Sequence, residues 1–233
     1  MIPEDDDPSR NPLRSDAEQN RSRILEAARR LYAVEGLGIS MAAVAREAGV
    51  GKATLARRFP SREALIAAVF VDHMRRFVAA TAAAVADPDP WRGFTGYVET
   101  VLEMQATDRG FADVLTMTLP GAAELETLRT RSYEGFVTLI DRAKASGRLR
   151  DDFRSEDLVL ALMANAGVVG ATARVAPDAW RRLLGHLLRA FANPGVSLPE
   201  MPSGPSGAEF SRAMREAFAS HAPESGVTAD HEP

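Results

Sequence analysis

A short cationic stretch from Lys52 to Arg58 carries the residues of this sequence that are best suited to binding another molecule. It follows the turn Gly49-Val50-Gly51, and Ser40 stands where it can cap a preceding helix. At helical spacing Leu55 and Phe59 face one way, whereas the lysine and the arginines face the other. Two short helices joined by a glycine turn, the second cationic on its outer side, are typical of a helix-turn-helix that docks on DNA.

The candidate DNA-binding residues divide by the part of DNA that each could reach. They are Ser40, Lys52, Ala53, Thr54, Arg57, Arg58 and Arg62. Because the second helix of such a motif enters the major groove by its N-terminal part, we expect Lys52, Ala53 and Thr54 at base edges. The other four are better placed for phosphates, although Arg58 could turn to a base beside the small Ala56. The alternative is an ordinary solvated helix face.

The distribution of charge favours a nucleic-acid partner for this region. The whole chain carries a formal net charge of −4 at pH 7. Residues 13–60 nevertheless hold nine Arg or Lys against five Asp or Glu, a local charge of +4. Positive charge is therefore concentrated where phosphates would have to be neutralised.

Other chemistries find little support in the sequence. The chain has no cysteine, which excludes disulfides, thiolate metal sites and cysteine nucleophiles. Its acidic N-terminus is neither a signal nor a transit peptide, and no apolar run is long enough to span a membrane, so we expect a soluble, cytoplasmic protein. Gly51-Lys52 lacks the first glycine and the hydroxyl residue of a phosphate-binding loop. With no catalytic or metal-ligand constellation, we expect neither an enzyme nor a bound cofactor.

Helices are predicted to position the cationic stretch. Ala, Leu, Arg and Glu are abundant, aromatic residues make up 6% of the chain, and no useful alternating strand pattern occurs, so an all-α fold is expected. We expect it to comprise an N-terminal three-helix helix-turn-helix head and a larger C-terminal helical domain, to which the resemblance described next assigns ligand binding and dimerisation. The expected division is residues 1–14 as a disordered N-terminus, 15–62 as the DNA-binding domain, 63–192 as the regulatory domain and 193–233 as a flexible tail.

Residues 21–77 resemble the N-terminal domain of the TetR family of transcriptional regulators. The matching pieces include Ile24-Leu25-Glu26-Ala27-Ala28, Ser40-Met41-Ala42-Ala43-Val44-Ala45, Ala48-Gly49-Val50, Thr54-Leu55 and Phe59-Pro60-Ser61-Arg62-Glu63-Ala64-Leu65. Two positions depart from the family pattern, since Ala56 replaces a common aromatic residue and Ala53 a common glycine. The resemblance implies a sequence-specific DNA-binding regulator, a homodimeric repressor that a small-molecule effector releases from a palindromic operator.

An alternative function remains open at this point. The protein could be a helical small-molecule-binding or dimerising protein whose head has lost affinity for DNA, as Ala56 and the acidic N-terminus would allow. A salt series on DNA binding separates the two, because a true binder loses affinity linearly in the logarithm of salt concentration.

An effector pocket is expected among aromatic and methionine residues of the middle helices. The candidates are Phe77, Trp91, Phe94, Tyr97, Met104, Phe111, Met117, Tyr133, Phe136, Met163 and Asn165, with His73 as a further polar anchor. Because inward-pointing charge is scarce in this set, a neutral or weakly polar ligand is favoured. The alternative is an ordinary core. The helix from Ser61 to about Ala86 belongs to both domains and would carry the ligand signal to the head.

Two late helices are predicted to form a homodimer interface. Residues 178–192 carry an apolar stripe that is too wide to be buried by one neighbour, and residues 156–173 add a second stripe with Gly167 and Gly170 permitting close approach. A two-fold dimer would match palindromic DNA half-sites. The alternative is that these residues serve only the core of the monomer.

Overall fold

A computed structural model describes residues 12–117 and 119–219 of the protein. Over these residues it contains ten α-helices and no strand, which confirms the predicted all-α fold. They are α1 (Pro12–Glu35), α2 (Met41–Glu47), α3 (Lys52–Arg58), α4 (Arg62–Val85), α5 (Pro90–Thr107), α6 (Arg109–Thr116), α7 (Ala123–Ala145), α8 (Ser155–Thr172), α9 (Ala179–Phe191) and α10 (Gly207–Ala219). The disordered N-terminus predicted for residues 1–14 falls mainly outside the described residues. No helix in the described part is long and apolar enough to cross a membrane.

Local sequence rules set the ends of the helices in the head. The Ser40 hydroxyl accepts a hydrogen bond from the amide of Ala43 at 3.2 Å, and the Ser61 hydroxyl accepts one from Ala64 at 3.1 Å. Both serines thus satisfy a donor that the first turn of a helix leaves unpaired. Gly49 has a φ of 63°, the left-handed conformation that the turn between α2 and α3 requires.

Two long helices that run parallel, α4 and α7, join the head to the rest of the protein. The two helices pack along their length, and Thr81 and Ser132 meet in their buried interface. At the far end, the guanidinium group of Arg142 donates to the carbonyl oxygens of Val85 and Asp87, which closes the C-terminal end of α4. Because α4 begins beside α3 and ends beside α7, it is part of both the head and the core, as predicted.

The core of the larger domain is aromatic and lies between α4, α5, α7 and α8. Phe94 is fully buried and contacts Trp91 and Phe153, with ring centroids 5.7 and 5.3 Å apart. Asn165 on α8 donates its side-chain amide to the Leu102 carbonyl oxygen and to Gln105 on α5, at 3.2 and 2.9 Å. This polar contact fixes α8 against α5 inside an otherwise apolar interface.

The segment after α9 differs from the flexible tail that the sequence predicted for residues 193–233. Residues 198–202 run along α9, where Arg182 and Arg189 donate to the carbonyl oxygens of Pro202 and Pro199 at 2.8 and 2.7 Å. The chain then forms α10, which packs against α8. Proline and glycine suggested a tail because they break helices, but they do not prevent an extended segment from packing. Residues 220–233 lie outside the described part.

Candidate DNA-binding face and core cavity

The outer face of α3 is cationic at both ends and small in the middle. Lys52, Ala53, Ala56 and Arg57 are all exposed and lie on one side of this helix, since their spacing matches the helical repeat. Leu55 is buried on the opposite side against the head. A surface with two alanines between two cations can approach another molecule closely without side chains in the way.

The remaining predicted DNA contacts border this face. Arg58 and Arg62 are exposed at the end of α3 and the start of α4. Thr54 is partly buried, and its hydroxyl accepts a weak bond from Arg57 at 3.4 Å. Ser40 is exposed, but its hydroxyl already caps α2. Most of the predicted set is therefore free to meet a ligand, whereas the Ser40 hydroxyl also has a structural role.

Arg23 on α1 holds the turn between α2 and α3, a contact that the sequence does not predict. Its Nη2 atom donates to the Ala48 carbonyl oxygen at 2.8 Å and to the Gly49 carbonyl oxygen at 3.0 Å. A Cβ atom on Gly49 would lie 2.8 Å from the same nitrogen, so this position admits only glycine without a shift. No local pattern signals this contact, because Arg23 lies 25 residues before its first partner.

A cavity of about 200 Å³ lies between α4, α5, α7 and α8 in the larger domain. Its aromatic wall consists of Phe77, Tyr97 and Phe136, and the Tyr97 and Phe136 rings stack with centroids 4.9 Å apart. Aliphatic residues complete most of the lining: Val101, Leu115, Leu158, Val159 and Leu162. The cavity is thus mainly apolar, as small-molecule sites usually are.

Four hydroxyl groups and one arginine supply the polar part of the lining, and only the two tyrosines were expected from the sequence. They are Tyr97, Ser132, Tyr133, Ser155 and Arg129. Burial raises the pKa of Tyr97 to about 12, against a smaller opposing effect of its interaction with Ser132, so this phenol keeps its proton at neutral pH. Arg129 donates to Glu126 at 2.6 Å and to the Met117 carbonyl oxygen at 2.9 Å. Its charge is therefore already balanced.

The structure brings together four of the eleven residues proposed for the pocket, Phe77, Tyr97, Tyr133 and Phe136. The others differ from the expectation. Trp91, Phe94, Phe111 and Asn165 are buried in the core away from this cavity, and Met104 lines a separate groove with His73. Met117 is 50% exposed after α6, and Met163 is 68% exposed on the outer side of α8. Since α8 is apolar on both sides, periodicity could not tell its inner from its outer residues.

His73 is packed rather than placed in the cavity, which agrees with the plainer of its two interpretations. Its ring stacks on Phe111 with centroids 3.9 Å apart, and its Nδ1 atom lies 3.8 Å from an Asp108 carboxylate oxygen. Burial lowers the pKa of His73, and the nearby Asp108 partly offsets this effect.

The short helix α6 connects the cavity directly to the head. Leu115 lines the cavity, whereas the carboxylate of Asp113 accepts a hydrogen bond from the Leu37 amide, just after α1, at 2.8 Å. Gly110 packs so tightly on α1 that a Cβ atom there would lie 2.8 Å from Tyr32. The head is thus attached to the larger domain through α6 as well as through α4.

Comparison with known proteins identifies the two domains. Residues 24–69 match the family model for bacterial regulatory proteins of the tetR family, and residues 89–189 match the C-terminal domain of SbtR-like transcriptional regulators. A solved TetR transcriptional regulator from Streptomyces coelicolor is 31% identical, with 75% of this chain and 99% of that chain covered and a TM-score of 0.48. The chain belongs to the TetR family.

Two further solved structures are similar to this chain. A TetR transcription regulatory protein from Mycobacterium vanbaalenii is 28% identical, covering 78% of this chain and 100% of that one, with a TM-score of 0.42. NalD of Pseudomonas aeruginosa, the secondary repressor of the MexAB-OprM multidrug efflux pump, is 19% identical over 77% of this chain and 99% of its own, and its TM-score of 0.52 reflects a shared fold. No curated protein matches the chain. As a TetR family member, the protein is a DNA-binding transcriptional regulator with a ligand-binding C-terminal domain, and dimerisation is typical of the family.

One side of α8 is an exposed apolar surface. Leu160 is 63% exposed and Met163 68% exposed, and they lie on the same side of the helix as Gly167 and Gly170. Neither glycine has a non-neighbouring atom within 4 Å of a built Cβ position. On α9 the predicted stripe is mostly taken up by the protein itself, with two residues buried and four partly buried: Trp180, Leu184, Leu183, Leu187, Leu188 and Phe191.

Proposed function

We propose that this repressor reads its operator with the N-terminal end of α3 and is released when a small neutral molecule fills the core cavity. The proposed recognition of the operator rests on one observation, the exposed face of α3 with its two cations and two alanines. Lys52 can donate to guanine O6 and N7, and the methyl groups of Ala53 and Ala56 can pack on thymine. Arg57, Arg58 and Arg62 then neutralise phosphates and set the position of the head.

Release depends on two attachments between the cavity and the head. A ligand that presses on Phe77 or Leu115 acts on α4 or α6, and each of these helices contacts the head. The ligand can shift the head only if it binds one arrangement of these helices better than the other. We infer that the ligand-bound arrangement places the two heads of a dimer at a spacing that does not fit the operator.

The dimer that this mechanism needs would form through residues 156–173 and 178–192. The exposed apolar side of α8 supports this role, because a surface of this kind is costly to leave in water. Gly167 and Gly170 would let the partner's backbone approach closely. A two-fold dimer presents two α3 helices to the half-sites of a palindrome.

The proposal for α3 can be tested by measuring binding to operator DNA over a series of salt concentrations. Arg57→Ala should weaken binding to all sequences alike and reduce the salt slope by about one unit per lost phosphate contact. Lys52→Ala should instead change which operator is preferred. Arg131→Ala, an exposed arginine on α7, is the control that should change neither. Unchanged affinity and preference in Lys52→Ala would show that α3 does not dock as proposed, and binding without salt dependence would favour the alternative of a head that has lost its DNA site.

A further inference from the structure

The hydroxyl groups at the inner end of the cavity form a chain whose direction is fixed. The Thr81 hydroxyl donates to the Phe77 backbone carbonyl oxygen at 2.9 Å, and a carbonyl oxygen can only accept. Thr81 has therefore used its proton, so in the 3.4 Å contact between Thr81 and Ser132 the serine must be the donor. The oxygen of Ser132, which lines the cavity, therefore keeps its lone pairs for a ligand.

A second series of hydrogen-bonded hydroxyl groups lies at the mouth of the cavity, and its protons also point away from the cavity. The Ser155 hydroxyl donates to the Glu156 carboxylate at 3.2 Å, so Tyr133 must donate in its 3.2 Å contact with Ser155. Here too the proton of each hydroxyl points away from the cavity, and the oxygen of Tyr133 remains as an acceptor. The hydroxyl groups at both ends of the cavity, Ser132 and Tyr133, thus offer acceptors, which favours a ligand that donates hydrogen bonds.

The charges around the cavity disfavour an ionic ligand. No Asp or Glu is among its lining residues, so a cationic ligand would find no carboxylate to pair with, because Glu126 is already paired with Arg129. An anionic ligand would compete with Glu126 for Arg129, and Glu126 also accepts a hydrogen bond from the Leu119 amide at 2.8 Å. Displacing it would leave a partly buried carboxylate and a backbone amide without their partner.

The size of the cavity and the aromatic residues of its wall narrow the class of ligand further. A cavity of about 200 Å³ is slightly larger than an apolar cavity of roughly 150 Å³ that is known to hold benzene in another protein. Phe77, Tyr97 and Phe136 offer rings at which another aromatic ring can stack or pack edge to face. One ring with a short substituent fits this space.

We propose that the cavity binds neutral single-ring aromatic alcohols or phenols, and that Ser132 accepts the hydrogen bond of the ligand hydroxyl. This inference rests on the proposed role of the cavity as the effector site, and it adds the chemical class of the effector. It also predicts discrimination between two molecules of equal size, because an alcohol donates a hydrogen bond and the matching ketone only accepts one.

The test compares 1-phenylethanol with acetophenone, its ketone, by isothermal titration calorimetry on the full chain. The alcohol should bind roughly three- to tenfold more tightly, the value of one hydrogen bond. Ser132→Ala should bring the ratio of the two affinities close to one. Thr138→Ala on the same helix, whose hydroxyl bonds back to Glu134 on the exposed side, should keep the wild-type ratio.

The outcomes separate this inference from the proposed function. Equal affinities, a preference for the ketone, or binding of neither molecule would overturn the ligand class. A preference for the alcohol that Ser132→Ala leaves unchanged would overturn the role of Ser132. If the alcohol binds as expected but does not reduce operator binding in a parallel titration, the ligand class stands and the effector role of the cavity fails.

Discussion

The contact of Arg23 with the turn between α2 and α3 should contribute measurably to the stability of the head. Arg23→Ala removes two hydrogen bonds from a charged donor, at 2.8 and 3.0 Å. Since the freed carbonyl oxygens can bind water instead, we expect the free energy of unfolding to fall by about 2 kcal/mol in total. For a chain of this length that corresponds to a melting temperature lower by roughly 4 to 8 °C.

Gly49→Ala should act partly through the same contact. An alanine at a φ of 63° costs about 1 to 2 kcal/mol, and its Cβ atom, 2.8 Å from Arg23 Nη2, also displaces the guanidinium group. In the wild-type background the total loss should be about 3 to 4 kcal/mol. In the Arg23→Ala background only the backbone cost remains, so the two substitutions should be coupled by about 2 kcal/mol.

Urea unfolding followed by circular dichroism gives the free energy of unfolding of the wild type, the two single variants and the double variant. The control is Arg46→Ala, at an exposed arginine on α2, which should change the free energy of unfolding by less than about 0.5 kcal/mol. Arg23→Ala should also weaken DNA binding at every salt concentration without changing the salt slope, because it loosens the turn and removes no phosphate contact. Strictly additive effects, or a loss below about 0.5 kcal/mol in Arg23→Ala, would refute the reasoning.

Two further predictions concern the larger domain. Because burial raises the pKa of Tyr97 from 10.0 to about 12, the unfolded chain loses this proton first as pH rises. The free energy of unfolding should therefore fall between about pH 10 and pH 12, by on the order of 2 to 3 kcal/mol, and urea unfolding at stepped pH should show this slope disappear in Tyr97→Phe. On α8, Leu160→Glu should convert a dimer to a monomer in light scattering. The control, Val34→Glu at an exposed apolar residue of α1, should leave the dimer intact. A monomeric wild-type protein would contradict the proposed interface.

The sequence predicts well what short-range rules determine. Ser40 and Ser61 cap helices and Gly49 makes a tight turn because each acts on a backbone only a few residues away. The helix boundaries follow from the same rules, and so does the exposed cationic side of α3. These features required no knowledge of how distant segments pack.

Features that depend on packing between distant segments could not be predicted in this way. Arg23 contacts a turn that is remote in sequence, and Asp113 bonds to an amide 76 residues earlier. Ser132 lies in the cavity although nothing in its neighbourhood distinguishes it from the exposed hydroxyl residues of α7. On α8, Leu162 faces inward and the adjacent Met163 outward, and only the positions of the neighbouring helices decide between them.

Two arginines of α9 bind the segment that follows this helix through its backbone carbonyl oxygens. This affects which substitutions the segment can accept. Arg182 and Arg189 bind the carbonyl oxygens of Pro202 and Pro199, so the side chains at these positions carry no hydrogen bond of the contact. Substitutions at Pro199 and Glu200 should then be tolerated as long as the chain stays extended, and proline favours that state before folding. Met201 and Pro202 are more restricted, because their side chains pack against Gly185 of α9. An insertion or deletion between residues 199 and 202 would move one carbonyl out of reach, so the length of the segment is constrained even where its side chains are not.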